Sequence, residues 1–465
     1  MRPSAPRIVA ILVLALGSVG SQTAVAAGPV TDQGNIEGAA YKIEIPANWN
    51  GNLVLYSHGY VVPGNPNPAR DVGDPVTGEF LMSQGYALAG SAYRSTGWAV
   101  QDALHDQIAL LDYFDRTYGN PKRTIAWGHS LGGMITAGLV QRDAERFSGA
   151  LPMCGVLAGA VGVWNSALDA EFVFKTLLAP RLPLLLVGIP DPSLNLKLAE
   201  EILAVAQATP RGRARLALMA AVGDVPGWFT PLSPEPERDQ FDDREVNQFL
   251  WDQRVDYPFL FALRAEMEAR AGGNPSWNTD VDYRRLLAQS IDGDEVRALY
   301  RAAGLDLERD LDRLAAAPRI AADTAAVDYL IQNIVFDGDL GGVPVLTLHT
   351  TGDGLVVNQD EQAYASIIDD ERVLRQAFVH RAGHCTFTPA ETIAAFNTLV
   401  RRLDSGEWSG LAPRELNAAA AALGAQLNVF LSGDAVVPAP PAYLAFEPTE
   451  FLRPFSISAK QPREE

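Results

Sequence analysis

Five consecutive residues can form a turn that exposes a nucleophile, because Gly128, His129, Ser130, Leu131 and Gly132 fit the pattern G-x-S-x-G. They lie directly after a predicted strand over residues 124–127 and directly before a helix with apolar residues at helical spacing. A sharp strand-to-helix turn lifts the serine hydroxyl above the sheet, and flanking glycines tolerate the crowded backbone. A glycine-rich turn can also merely connect two elements. In this context we predict that Ser130 is a nucleophile.

A serine hydroxyl needs a base to remove its proton, and six histidines are available: His58, His105, His129, His349, His380 and His384. His384 falls in a short loop between the last predicted strand, residues 372–379, and the last amphipathic helix, residues 389–403. Such a loop can fold back over the carboxyl edge of the sheet. We therefore predict that His384 is the base, with His380 at the end of the strand as the alternative.

The third member must be a carboxylate that orients the imidazole and stabilises its positive charge. Asp353 lies between two glycines just past the strand that ends near His349. An aspartate between glycines is also common in turns without any further role. Asp353 is nevertheless the preferred candidate, since the other acidic residues follow no strand so closely; they are Asp337, Asp339 and Asp360.

Two backbone N–H groups are expected to stabilise the negative charge that develops on the substrate oxygen. Leu131 begins the helix after the nucleophile, where the N-terminus of a helix favours negative charge. His58 and Gly59 end the first strong strand, residues 52–57, and the glycine allows close approach of the backbone. We predict Leu131 and Tyr60 as the donors, with Gly59 as the alternative to Tyr60.

Strands and helices alternate along the first third of the chain, which predicts crossover connections and a parallel sheet. From about residue 158 to residue 339 the pattern is mostly helical, and strand patterns resume at residues 343–348. The predicted organisation is a core split between residues 27–157 and 340–410, a helical insertion over 158–339, and a helical and extended tail over 411–465.

Residues 1–26 have the features of an export signal: two early arginines, an apolar run over residues 8–17, and Ala24-Val25-Ala26 before the expected cleavage site. This predicts a secreted or periplasmic protein without a membrane anchor. The formal net charge of −19 argues against nucleic acid and anionic membranes as partners. No metal-ligand spacing is found, so neither a metal nor an organic cofactor is expected.

Together, His58-Gly59, the Ser130 motif, Thr351-Gly352-Asp353 and Gly383-His384 resemble the α/β-hydrolase superfamily. The resemblance implies a mostly parallel, eight-stranded sheet of α/β class with the site at its carboxyl edge. It also implies that the helical insertion is a cap over that site. Within the superfamily the chain is similar to secreted bacterial esterases and to prolyl-oligopeptidase-like hydrolases, on the stretches Ser91–Trp98 and Ala150–Gly155.

The expected reaction is hydrolysis of a small-molecule or polymeric carboxylic ester through an acyl-serine intermediate. Peptide hydrolysis uses the same groups and is the main alternative, followed by acyl transfer and by a binding protein without catalysis. Six aromatic residues of the insertion could line an acyl pocket or pack in the insertion's own core: Trp164, Phe172, Trp228, Trp251, Trp277 and Tyr283.

The chain has two cysteines, Cys154 and Cys385. Cys154 ends the strand after the nucleophile helix, and Cys385 directly follows the predicted base, whose loop must cross the same edge of the sheet. In an exported protein a nearby pair is expected to be oxidised. We therefore predict a disulfide between them, the alternative being two separate buried thiols.

Overall fold

The structure is a computed structural model that describes residues 28–370, 372–432 and 435–456. The predicted export signal, residues 1–26, lies outside the described residues, as does the end of the predicted tail. Among the described residues no helix combines the length and hydrophobicity needed to cross a bilayer.

The strands, in chain order, are β1 Val30–Ile36, β2 Ala39–Ile45, β3 Asn52–Ser57, β4 Ala87–Ser91, β5 Arg123–His129, β6 Gly149–Met153, β7 Val345–Gly352, β8 Leu374–Ala382, β9 Val429–Ser432, β10 Ala435–Pro438 and β11 Tyr443–Leu444. The helices are α1 Pro75–Ser83, α2 Val100–Tyr118, α3 Leu131–Arg142, α4 Gly159–Leu178, α5 Pro192–Gln207, α6 Pro210–Val222, α7 Phe241–Trp251, α8 Arg264–Ala271, α9 Tyr283–Gln289, α10 Gly293–Ala302, α11 Leu307–Ala316, α12 Thr324–Gln332, α13 Gln359–Ser366, α14 Pro389–Ser405 and α15 Pro413–Ala422.

One sheet organises the described chain, in the order β1-β2-β4-β3-β5-β6-β7-β8-β11. The six strands from β4 to β8 in this order are parallel, while β1, β2 and β11 join antiparallel at the edges. The α/β fold with a mostly parallel sheet is confirmed. The expected eight strands become nine, because residues of the predicted tail add β11 to the free edge of β8.

The alternation of side chains along the strands places apolar residues on both faces of the sheet. In β3, Leu53 and Leu55 pack on the side of α2 and α3. Val54 and Tyr56 pack on the opposite side, against α1, α14 and α15. The sheet is thus covered by helices on both faces, and its carboxyl edge is left as the place where loops can meet.

The helices α4–α12 all lie between β6 and β7 in the chain. Most of them share an apolar core of their own, which includes Phe172, Phe174 and Tyr257. Between α7 and α8 the helix continues through two π-helical segments, Asp252–Asp256 and Phe259–Leu263. Pro258 stands between the two segments and lacks an N–H, which accounts for the disturbed hydrogen bonding there.

Candidate active site

Ser130 occupies a strained turn between β5 and α3, with φ of 58° and ψ of −127°. Non-glycine residues rarely adopt this conformation, and they do so mainly at functional sites. A Cβ at Gly132 would lie 2.0 Å from the Ser57 carbonyl oxygen, and one at Gly128 would lie 2.3 Å from the Gly132 oxygen. Both glycines of the motif are therefore required for the backbone to turn so tightly.

The structure brings Ser130, His384 and Asp353 together at the carboxyl ends of β5, β8 and β7. His384 Nε2 lies 2.8 Å from Ser130 Oγ, and His384 Nδ1 lies 2.7 Å from Asp353 Oδ2. Asp353 is fully buried, and its Oδ1 accepts the N–H groups of Leu355 and Val356, each at 3.1 Å. The two backbone donors fix the carboxylate, so that its second oxygen faces the imidazole.

These contacts determine the tautomer of the His384 ring. A carboxylate accepts hydrogen bonds only, so Nδ1–H of His384 donates to Asp353. Nε2 is left unprotonated and accepts the hydroxyl hydrogen of Ser130. This arrangement is the one in which a histidine can remove the serine proton.

The alternative base and acids lie elsewhere. His380 is half-exposed, with its ring 5.1 Å from that of Trp228 and its Nε2 3.6 Å from a Glu235 carboxylate oxygen. Asp337 and Asp339 lie in an exposed loop, where the carboxylates accept backbone N–H groups. Asp360 is buried near the site, but its Oδ2 accepts the Ala158 N–H at 3.3 Å and has no contact with His384.

The two predicted oxyanion donors flank Ser130. Leu131 is the first residue of α3, so its N–H has no carbonyl partner within the helix. A Cβ at Gly59 would lie 3.1 Å from Ser130 Cβ, which shows how closely the loop after β3 approaches the nucleophile. Tyr60 and Leu131 line the same cavity as Ser130.

The two cysteines form a disulfide in the structure, with their Cα atoms 5.4 Å apart. Cys154 follows β6, and Cys385 is the residue after His384. The bond therefore ties the loop after β8, which carries the predicted base, to the end of β6, with β7 between the two strands in the sheet.

A cavity of about 160 Å³ opens beside Ser130. Its walls are mostly apolar, and they come from both the loops of the sheet and the helical insertion. The lining residues include Tyr60, Trp98, Trp164, Phe259, Leu260 and three aspartates, Asp252, Asp256 and Asp360.

Known proteins are similar to this chain at two levels. A model of the prolyl oligopeptidase family matches residues 83–163, which include the Ser130 turn. The o-phthalyl amidase of Xanthobacter agilis is 32% identical over 422 residues, an alignment that covers 83% of this chain and 90% of the amidase. The chain belongs to the family of this amidase, within the α/β-hydrolase superfamily. It is a serine hydrolase of that fold.

Solved structures of hydrolases resemble it more distantly. An esterase from Aspergillus oryzae is 12% identical, with a TM-score of 0.42, 91% of this chain covered and 89% of the esterase. The acylaminoacyl peptidase of Pyrococcus horikoshii is 9% identical, with a TM-score of 0.33. The match covers 77% of this chain but only 37% of the peptidase, which is the longer protein.

The sequence did not predict the role of His349, which is buried beside Asp353. His349 Nε2 lies 2.8 Å from the Val356 carbonyl oxygen, and its Nδ1 lies 3.2 Å from Glu361 Oε1. A carbonyl and a carboxylate both accept, so both ring nitrogens carry hydrogen and the ring is positively charged. Burial lowers the pKa of His349, but the hydrogen bond and charge of Glu361 and the charge of Asp353 together raise it to about 9.

The His349 cation lies next to the acid of the site, with Nε2 3.7 Å from Asp353 Oδ2. It stabilises negative charge on Asp353, the group that faces His384. His349 lies in β7, four residues before Asp353, and the pattern of apolar and polar residues in a strand does not predict such a role. The histidine becomes charged because α13, which follows β7, places Glu361 against its ring.

The aromatic candidates of the insertion divide in two. Trp164 lines the cavity. The other five do not, and Phe172 and Tyr283 instead stack on each other within the core of the insertion, with ring centroids 5.4 Å apart.

The sequence did not predict that Asp252 and Asp256 line the cavity, because an aspartate pair in a helix normally faces solvent. Their spacing of four residues was the one available signal, since it places both on one helix face.

Proposed function

We propose that the protein hydrolyses carboxylic esters through an acyl-enzyme on Ser130. The observation that carries this proposal is the unbroken hydrogen-bond chain from Ser130 through His384 to Asp353, at the wall of a mostly apolar cavity. A strained nucleophile turn, an oriented base and a cavity for an acyl or alcohol group are the parts that such a reaction needs.

The reaction proceeds in two halves. Ser130 Oγ bonds to the ester carbonyl carbon while its proton passes to His384 Nε2, and the carbonyl becomes a tetrahedral oxyanion. The oxyanion collapses, the bond to the alcohol oxygen breaks, and His384 returns the proton to that oxygen. Water then attacks the acyl-serine by the same route, which releases the carboxylic acid and restores the serine hydroxyl.

The N–H groups of Leu131 and Tyr60 stabilise the oxyanion. In comparable sites, removal of one such donor costs about 3–4 kcal/mol of transition-state stabilisation. Asp353 keeps Nδ1 of His384 protonated and balances the imidazolium that forms during each half. The His349 cation prevents Asp353 from taking up that proton. The reaction requires no metal and no organic cofactor.

The helical insertion over residues 158–339 acts as the cap in this proposal. It supplies Trp164, Phe259 and Leu260 to the cavity, whereas the sheet loops supply Ser130 and Leu131. Substrate therefore binds between the two parts of the chain, and the cap restricts the groups that reach Ser130.

We also propose that residues 1–26 direct export and that the protein acts outside the cytoplasm. The Cys154–Cys385 bond supports this location, because disulfides persist in oxidising compartments.

Amide hydrolysis is the second candidate, and the name of the Xanthobacter relative, o-phthalyl amidase, favours it. An amide differs from an ester in that the leaving nitrogen must be protonated before its bond to carbon breaks. The His384 imidazolium, 2.8 Å from the Ser130 oxygen, is placed to donate that proton. The same groups therefore serve both reactions.

Paired substrates separate the two activities. We would measure kcat/KM for p-nitrophenyl esters of rising acyl length and for the p-nitroanilides of the same acids, with Ser130→Ala as the control. Turnover of the esters that exceeds that of the anilides by more than the ratio of their uncatalysed hydrolysis rates supports ester hydrolysis as the main activity. Faster turnover of the anilides supports the amidase. Failure to cleave any of these compounds, with the folded enzyme confirmed by circular dichroism, contradicts both.

A further inference from the structure

The cavity beside Ser130 contains two carboxyl groups that have no partner among the described residues. Asp252 is 1% exposed and both of its oxygens lack a hydrogen bond; Asp256 is 7% exposed and its Oδ2 lacks one. Neither side chain takes part in an ion pair anywhere in the described ranges. Buried polar groups in proteins are nearly always satisfied, so two unpartnered carboxyls in one cavity require an explanation.

Their position in the helix is also unusual. Asp252 and Asp256 are the first and last residues of a π-helical segment, and Phe259 and Leu260, which line the same cavity, begin the next one. π-helical segments are rare and are frequently found at functional sites. Pro258 between them interrupts the helical hydrogen bonds. The irregular helix thus presents two carboxyls and two apolar side chains to one space.

The two carboxyls are not stabilised by other groups in the part of the protein that the structure describes. Burial, together with the charges of Asp256 and Glu245, raises the pKa of Asp252 well above its usual range. Burial and the charge of Asp353 raise the pKa of Asp256 well above its usual range. Unpaired buried carboxyls destabilise a folded chain, whether they remain charged or become neutral. A ligand that donates hydrogen bonds and carries positive charge removes both penalties.

We propose that Asp252 and Asp256 bind an organic ammonium group of the substrate. This inference deepens the proposed function and rests on it, since the cavity is the one that Ser130 serves. An ammonium group offers up to three N–H donors. It also carries a positive charge, and no cationic side chain of the described residues supplies one to the two carboxyls. The fold then selects esters or amides that carry an amine.

The remaining walls indicate what surrounds that amine. Trp98, Trp164 and Phe259 line the cavity with aromatic surface, which favours hydrocarbon. The substrate is therefore an amphipathic compound, with an aryl or alkyl body and an ammonium group. The net charge of −19 further favours the approach of cations over anions.

A carboxylate held by protonated aspartic acids is the competing ligand. The surroundings oppose it, because Asp360 lines the same cavity and the negative charge of Asp353 acts on Asp256. An anion there would face several acidic groups and no lysine or arginine among the residues that line the cavity. This ligand is one outcome of the test.

Small probes of equal size distinguish these possibilities without turnover. Binding of benzylammonium, benzyl alcohol and benzoate to the enzyme is measured by isothermal titration calorimetry. We expect benzylammonium to bind at least tenfold more tightly than benzyl alcohol, and benzoate to bind most weakly. We also expect Asp252→Asn and Asp256→Asn each to weaken benzylammonium binding at least tenfold, with little change for benzyl alcohol.

Asp224→Asn is the matched control. Asp224 is also a buried carboxyl with an unpartnered Oδ2 and a raised pKa, but it does not line the cavity. Its replacement is expected to leave the three affinities unchanged.

Several results would overturn the proposal. Equal binding of benzylammonium and benzyl alcohol would contradict it, as would tighter binding of benzoate. Unchanged benzylammonium affinity in both folded cavity variants would also contradict it. If those variants fail to fold, the ranking of the three probes on the wild-type enzyme decides alone. Because binding needs no catalysis, an enzyme that binds benzylammonium but cleaves neither esters nor anilides would contradict the proposed function and leave this site standing.

Discussion

At the scale of residues, the site depends on short contacts between groups that are far apart in the chain. Ser130 and His384 are separated by 254 positions, and their hydrogen bond is 2.8 Å long. Asp353 is held by two backbone N–H groups and contacts both His384 and, at 3.7 Å, the His349 cation. Each of the four residues therefore has a distinct place in one chain of contacts, in which the proton moves only between Ser130 and His384.

Asp353→Asn is expected to lower kcat by about 10⁴-fold, as loss of the correct tautomer does in comparable triads. The amide oxygen can still accept the Leu355 and Val356 N–H groups, so the NH₂ group would face His384. Nδ1 would then accept instead of donating, and Nε2 would lose its ability to accept from Ser130. Steady-state kinetics on the best ester measures the loss. Full activity in this variant would show that another acid, with Asp360 as the candidate, orients His384.

His349→Gln is expected to alter how stability depends on pH. The folded pKa of about 9 lies above the unfolded value of about 6.5. A raised pKa means that the charged ring stabilises the fold fully below about pH 6.5, and that this contribution is lost as pH rises through about 9. The charges of Glu361 and Asp353 act on the ring, and burial raises the pKa of the nearby Asp360 carboxyl to about 7.

Urea unfolding of the wild type and His349→Gln at several pH values between 6 and 10 tests this. The difference in the free energy of unfolding should be large at pH 6 and should shrink toward pH 10. A difference that stays constant across the range would show that His349 is not charged in the fold.

At the scale of elements, each parallel strand from β3 to β8 in the sheet order delivers a residue to the same edge. Gly59 follows β3, Ser130 follows β5, Cys154 follows β6, Asp353 follows β7 and His384 follows β8. The carboxyl edge of a parallel sheet is the usual position of such sites. The crossover helices between these strands bring together residues from distant parts of the sequence.

The Cys154–Cys385 bond is expected to hold the His384 loop over Ser130. Because it closes a segment of 231 residues, its reduction should lower the free energy of unfolding by up to about 5 kcal/mol in the chain-entropy model. Alkylation of the unreduced, denatured protein followed by mass spectrometry should find no labelled thiol. Two labelled cysteines would contradict the bond.

The elements differ in how far they could be predicted. The turn at Ser130 was recognisable because a local pattern of glycines after a strand and before a helix specifies it. Asp353 and His384 followed from their places after strands. The π-helical segment and its buried carboxyls could not be predicted, since burial of Asp252 and Asp256 arises only when the insertion packs over the sheet. Strand β11 was missed because Tyr443–Leu444 is too short to show an alternating pattern.

At the scale of the whole molecule, sheet and insertion together form the cavity, and the surplus of acidic residues affects what enters it. The formal net charge is −19. We expect the same charge to disfavour binding to nucleic acids and anionic surfaces. A protein that acts on small substrates outside the cytoplasm would combine these properties with an oxidised cysteine pair.

Export is expected to remove residues 1–26. Expression of the full chain in a bacterium with a periplasm should yield a mature protein that begins at Ala27, because Ala24 and Ala26 fit the small-residue cleavage rule. Cell fractionation and intact-mass measurement of the recovered protein test this. An uncleaved protein confined to the cytoplasm would contradict the predicted signal.

We propose that Ser130 is the nucleophile and that His384 activates it. A fluorophosphonate probe reacts with activated serines, and peptide mapping by mass spectrometry locates the label. We predict a single modification on Ser130 in the wild type, none in Ser130→Ala, and strongly slowed labelling in His384→Ala. Loss of the nucleophile should also lower kcat on the order of 10⁶-fold while the protein stays folded. Labelling of a different serine, or labelling of Ser130→Ala at the wild-type rate, would contradict the assignment.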